Sequence, residues 1–324
     1  MKKRVIYLIT LTLILLSELT TQAQQLPLFS QYLFNGFIVN PAYAGLDGLS
    51  TVNAISRDQW AGLPYSPKTQ IISFQTRLVG HSFIHRSASV RRRMMTQSSN
   101  GRVGIGGYIY NDRTGLINRT GAQFTYAYHI KMDQNVLSMA LNGSISEFSI
   151  DRDKIKLETS DKLIDTHALN MFLPDMGFGV VYSNDTWYAG LSADQLFQAY
   201  LKLGSSVDKE YRLYSQFNLT GGYRYDIDEE TALEPSILVK TTFRTTQMDI
   251  SAKVHFITDY WAGLSYRTGS ALIFIAGAVI DPITVGISYD YNLSSIRYSN
   301  YGSFELMAAY KFGNTPNRLR WLNR

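Results

Sequence analysis

Gln216-Phe217-Asn218-Leu219-Thr220-Gly221-Gly222-Tyr223-Arg224-Tyr225 alternates with a period of two. Phe217, Leu219, Gly221, Tyr223 and Tyr225 share one face; Gln216, Asn218, Thr220, Gly222 and Arg224 share the other. Successive side chains of a β-strand point to opposite sides, so this stretch makes a strand with one apolar and one polar face. The pattern returns at 246–256, where Met248, Ile250, Ala252, Val254 and Phe256 oppose Gln247, Asp249, Ser251, Lys253 and His255. It returns at 283–292, with Ile283, Val285, Ile287, Tyr289 and Tyr291 on the apolar side. It returns again at 303–312, with Phe304, Leu306, Ala308, Tyr310 and Phe312. No long helical periodicity competes with it.

A one-faced strand suits two environments, a soluble sandwich with its apolar face inward or an outer-membrane barrel with its apolar face against lipid. Strands of about 10 residues exceed the roughly 5–6 usual in soluble proteins. Tyr and Phe crowd towards strand ends, as in an interfacial girdle. Arg224, Asp249, Lys253 and Asp290 on the polar faces suit a wet interior. These features select an all-β transmembrane outer-membrane β-barrel of about 14 antiparallel strands, an even number as bacterial barrels prefer. The expected strands are 51–60, 69–78, 102–111, 119–130, 135–148, 174–183, 186–193, 212–225, 231–242, 246–257, 260–268, 270–280, 282–292 and 303–312.

Composition agrees. The 324 residues are 45% hydrophobic, 13% aromatic and only 18% charged, with 22 Tyr and 16 Phe against 4 Trp, and no cysteine. Disulfides, thiolate metal sites and cysteine nucleophiles are excluded. A mean hydropathy of −0.11 is too polar for a bundle of membrane helices.

The chain divides into four parts. Residues 1–23 read as a secretory signal peptide: Lys2, Lys3 and Arg4, then apolar Val5 to Leu16, then a small residue at Ala23. Cleavage there removes three cations and Glu18, so the formal charge falls from +5 to +3 and gives no argument for nucleic acid. Residues 24–50 are an N-terminal motif segment without alternation, expected to plug the lumen or dock on its periplasmic mouth. Residues 51–312 are the barrel. Residues 313–324, with Arg318, Arg320 and Arg324, are a basic tail expected in the periplasm.

Turn lengths test the topology. Residues 132–135, 183–186, 226–230, 258–259 and 281–282 are tight and turn-prone, as periplasmic connections should be. Residues 149–173, 194–211 and 293–302 are long and fall on the extracellular side. Residues 79–101, with Arg91-Arg92-Arg93, are long yet fall with the short turns. Either they are a basic periplasmic insertion, or the strand count shifts by one there.

The N-terminal segment carries Phe29-Ser30-Gln31-Tyr32 and Asn40-Pro41-Ala42-Tyr43-Ala44-Gly45. Further stretches follow in order: Arg57-Asp58-Gln59-Trp60, Pro67-Lys68-Thr69-Gln70, Leu173 to Gly179, Trp187 to Ser192, Ser288-Tyr289-Asp290-Tyr291 and Gly302 to Leu306. In order and spacing this set resembles the PorP/SprF family of type IX secretion system membrane proteins of Bacteroidota, over nearly the whole mature chain. The resemblance implies a non-enzymatic component of the cell outer membrane without cofactors, supporting secretion or surface attachment of cargo such as gliding adhesins. Its implied partners are secreted cargo with a C-terminal sorting domain, periplasmic secretion components and outer-membrane lipid. Phe29, Ser30, Gln31, Tyr32, Asn40, Pro41, Ala42, Tyr43, Ala44 and Gly45 become the candidate partner-binding residues. The insertion at 79–101 and the basic tail depart from the family pattern.

Other chemistry is weakly signalled. Gly190 to Asp194 and Gly263 to Arg267 do not complete a Gly-x-Ser-x-Gly elbow. His81 and His85 are four apart but lack a third ligand, so a solvated loop is the simpler account. Gly101 to Gly107 lacks a phosphate-binding Lys-Ser/Thr pair, and its glycines suit close packing or bends. No catalytic or metal residue is therefore expected. Two alternatives remain: a channel or transporter for small solutes with 24–49 as a hatch, and a structural barrel tied to peptidoglycan by its tail.

Overall fold

The computed structural model describes residues 30, 32, 34–78, 101–150, 171–198, 200–202, 210–228, 230–256 and 259–312. Two 3-10 turns, Gly36–Ile38 and Pro41–Tyr43, precede fourteen barrel strands. These are β1 Ser50–Asp58, β2 Lys68–Leu78, β3 Val103–Thr114, β4 Ile117–Met132, β5 Asn135–Ile150, β6 Met171–Ser183 and β7 Trp187–Asp194. After a small hairpin of Tyr200–Lys202 and Glu210–Arg212 come β8 Gln216–Tyr223 (continued by Tyr225–Asp226), β9 Thr231–Thr241 and β10 Thr246–Phe256. β11 Tyr260–Arg267, β12 Ala271–Ile280, β13 Ile283–Asn292 and β14 Ser303–Phe312 complete the set. Every strand pairs antiparallel with its neighbours, and β1 pairs with β14 from Ser50↔Phe312 to Asp58↔Phe304, which closes the ring. Closure leaves no unpaired sheet edge to lipid.

Burial is inverted relative to a soluble protein. Along β10 the polar set Asp249, Ser251, Lys253 and His255 is buried inside, while Ile250 and Phe256 are exposed outside. On β14 Glu305 is 2% exposed and its apolar neighbour Leu306 is 59% exposed. Phe124, Leu141, Leu219, Ile287 and Leu306 belong to the outer apolar band. Such a band is stable only against hydrocarbon.

All fourteen expected strands form, with two informative differences. β3 to β6 run further towards the long-connection end than the alternation suggested, reaching Thr114, Ile117, Ile150 and Met171. Asn111, Asp112 and Arg113 there pair in register with Thr120, Arg119 and Asn118, polar on both faces. Strands that rise clear of the bilayer have water on both sides, so the alternation that marks them fades. The eighth strand, expected at 212–225, starts later and is interrupted. Its ladder with β9 stops at Gly222↔Ser236 and resumes at Tyr225↔Leu233. Pro235 lies opposite the gap and has no N–H to give; the Arg224 N–H donates instead to the Thr186 carbonyl.

β2 and β3 pair directly, Leu78 opposite Val103, so the count does not shift at the long basic connection. That connection begins and ends with the short turns. Residues 79–100, including His81, His85 and Arg91-Arg92-Arg93, lie outside the described residues, as do 1–29 and 313–324.

Candidate functional site: the plug and its lumenal seat

The described residues between Ser30 and Leu49 lie inside the barrel, so of the two expected placements the lumen is the one adopted. They run from Ser30, near the long-connection end, down to the start of β1. Among the motif residues, Ser30, Tyr32, Asn40, Pro41, Ala42, Ala44 and Gly45 are buried and Tyr43 is half-buried. Phe29 and Gln31 lie outside the described residues.

Ser30 is held by a buried ionic cluster. Its backbone N–H donates to Glu305 Oε2 at 2.8 Å and its hydroxyl to the Asp290 carboxylate at 2.9 Å. Arg57 reaches the same serine oxygen at 2.9 Å, Asp290 at 2.6 Å and Glu305 at 3.0 Å. Arg267 bridges Asp249 at 3.0 Å and Asp290 at 3.3 Å. Two guanidiniums and three carboxylates from β1, β10, β11, β13 and β14 thus form one cluster around Ser30: Arg57, Arg267 and Asp290 meet its hydroxyl, Glu305 its N–H, and Asp249 pairs with Arg267 behind them. Charges removed from water need such reciprocal pairing. The polar faces are therefore not simply wet, as alternation suggested: here they are covered by the plug and paired with one another.

Below Ser30 the Tyr32 hydroxyl lies 2.9 Å from Ser251, which donates to Ser265 at 2.7 Å. Burial pushes the Tyr32 phenol above its ordinary value, so it stays protonated. Phe34 stacks on Trp261 at 4.4 Å and takes the Lys253 ammonium over its ring at 4.6 Å. Lys253 and His255 both meet Glu234, at 2.8 and 3.0 Å.

Asn40-Pro41-Ala42-Tyr43 forms its turn for local reasons. Asn40 Oδ1 caps the Ala42 N–H at 2.9 Å, and Pro41 sits where no N–H is needed. The Asn40 amide then spans to the wall, donating to the Val180 and Leu191 carbonyls at 3.1 Å each. Gly179 lies under it, and a Cβ there would run into Asn40 Oδ1 and Pro41. Ser192 and Asn218 donate to the Val39 carbonyl, at 2.7 and 3.2 Å. The Ala44 carbonyl meets His129 Nε2 at 3.0 Å, and His129 Nδ1 meets Ser138 at 2.7 Å. A carbonyl only accepts, so Nε2 carries the proton and Nδ1 accepts from Ser138. Gly45 has φ +66°, in the left-handed region that favours glycine, and turns the chain towards β1.

Among the described residues two lumenal cavities border the plug. One of about 90 Å³ faces the short-turn end, lined by Tyr43, Asp47, Thr51, Glu234, Lys253 and Lys311 among others. The other, about 100 Å³, faces the long-connection end.

Sequence motifs far apart thus meet in space. Arg57, Asp290 and Glu305, each within a quoted stretch, close on Ser30; Gly179, Leu191 and Ser192, from two others, seat Val39 and Asn40. Arg267 and Asp249 were not singled out as a site. Their signal was a charge on an otherwise polar strand face, which a solvated pore lining would also show. The serines of the two incomplete elbows, Ser192 and Ser265, spend their hydroxyls on the plug and its relay.

Fold and seat together define an outer-membrane β-barrel closed by its own N-terminal segment. The chain belongs to the PorP/SprF family of type IX secretion system membrane proteins, whose pattern matches residues 21–310. No curated protein matches it. Among solved structures it is similar to a deletion mutant of the TodX monoaromatic hydrocarbon channel, at 8% identity over 87% of this chain and 94% of that one, TM-score 0.49. It is also similar to the CymD monoaromatic hydrocarbon channel, at 9% over 87% and 93%, TM-score 0.48. The KdgM porin gives 9% over 81% and 99%, TM-score 0.38.

Proposed function

We propose that this type IX secretion component is a non-enzymatic barrel that supports secretion or surface attachment of cargo proteins, gliding adhesins among them. The observation that supports this is the plug. A lumen crossed by a segment locked through Ser30 and Asn40 is ill suited to conduct a polypeptide, so the barrel serves cargo by its surfaces. Its extracellular loops take the secreted protein. The motif segment contributes to docking at the short-turn end, where Tyr43 borders the inner cavity, while Ser30, Asn40, Ala42, Ala44 and Gly45 set the plug's shape. Periplasmic secretion components engage that end. Deleting the gene in its native host should strip a specific adhesin from the cell surface while general membrane integrity holds. Unchanged surface cargo would refute the proposal.

A solute channel is the alternative, resting on the two cavities. It requires the plug to move, and it predicts steady conductance of the intact protein in planar bilayers.

A further inference from the structure

The outer cavity combines cationic side chains with an apolar floor and an aromatic wall. Its floor is the plug's Ile38 and Val39, and Tyr108 and Tyr110 form one wall with ring centroids 6.1 Å apart. Arg119 and Lys240 both line it. Elsewhere in the lumen Arg57, Arg267 and Lys253 each sit within 4 Å of a carboxylate. Arg119 and Lys240 have no such partner among the described residues. Asp194 lines the same cavity, but its oxygens accept from the amides of Asn142 at 3.2 Å and Asn218 at 3.4 Å. Asp112, opposite Arg119 in register, accepts instead from Thr69 at 2.6 Å. Arg119 lies over the Tyr110 ring at 5.9 Å and donates through Nη2 to the Gln195 amide oxygen at 3.2 Å. Arg119 and Lys240 against Asp194 leave the cavity lining with one positive charge in excess, and an anion entering beside the two cations offsets it. The tyrosines and the Ile38-Val39 floor offer an apolar surface next to the charge.

We propose that this cavity is a binding site for a small organic monocarboxylate with a short apolar or aromatic body, entering from the extracellular side. Arg119 and Lys240 hold the carboxylate; Tyr108, Tyr110, Ile38 and Val39 hold the body. Arg119 lies two residues into β4 and Lys240 one residue from the end of β9, so among the described residues the site lies towards the long-connection end. Beneath it lie the plug residues Ile38 and Val39, so the site is one of recognition.

The test is calorimetric titration of the full chain, purified in detergent, with 3-phenylpropionate and with the isosteric neutral 3-phenylpropionamide. The acid should bind at least tenfold more tightly than the amide. Lys240→Met with Arg119→Gln should abolish that preference, and Lys240→Arg should retain it. Heat-modifiable gel mobility checks that each variant is folded; should the double variant not fold, Lys240→Gln alone must cut the preference severalfold. Equal binding of acid and amide, no binding of either, or a preference that survives loss of both cations would overturn the proposal.

Discussion

Arg267 shows how one side chain can couple wall and plug. It is 2% exposed and pairs with Asp249 and Asp290, the latter also holding Ser30. Arg267→Met keeps the volume but strands the buried carboxylate of Asp249 and leaves Asp290 to Arg57 alone, and removing one member of a buried pair costs about 3–5 kcal/mol. Equilibrium urea unfolding in lipid vesicles should show that loss; a change below about 1 kcal/mol would mean the cluster is wetter than its geometry states. Composition and spacing marked Asp249 and Asp290 as lumenal, and that was correct. Nothing in the chain marked Arg267 as their partner, because the two carboxylates lie 18 and 23 positions away and only strand register brings all three together. Ser30 was legible as part of a motif, yet its role was not: a serine's partners are set by what surrounds it.

Among the strands, the alternation carried nearly all the information. β10 was readable residue by residue, its polar set inside and its apolar set outside, because lipid and lumen impose opposite demands on neighbouring positions. Ile250 faces outward and is 48% exposed. Ile250→Arg should therefore destabilise the barrel by about 2–4 kcal/mol, as a cation near the bilayer midplane does. The same urea titration measures it, and a near-neutral result would move Ile250 out of the hydrocarbon zone. Strand ends were less legible. β3 to β6 extend past the alternation, and β8 breaks opposite Pro235, a neighbour on another strand.

For the whole molecule, the ring and the plug are separable. The ring closes through β1 and β14 without help from the plug, whereas the plug is held by contacts to at least eight strands. Deleting residues 24–48 from the mature chain should leave a barrel that still inserts and shows heat-modifiable mobility. It should turn a closed lumen into an open one, giving stable conductance steps in planar bilayers where the intact protein gives none. A deletion variant that fails to insert would show that the plug templates the ring.

Chain chemistry alone established the export-type leader as an expectation, the fourteen strands, the lipid-facing and lumen-facing sides, and the family's motif order. Each of these follows from local pattern, since the pleat fixes which way a side chain points and the bilayer fixes what it must be. Only the tertiary structure decided that the N-terminal segment goes into the lumen, that Ser30 sits between two arginines and two carboxylates, and that Arg119, Lys240 and Asp194 line one cavity. Those facts depend on which residues of distant strands reach the same height in a closed ring. That height is set by register and closure, which no stretch of sequence carries on its own.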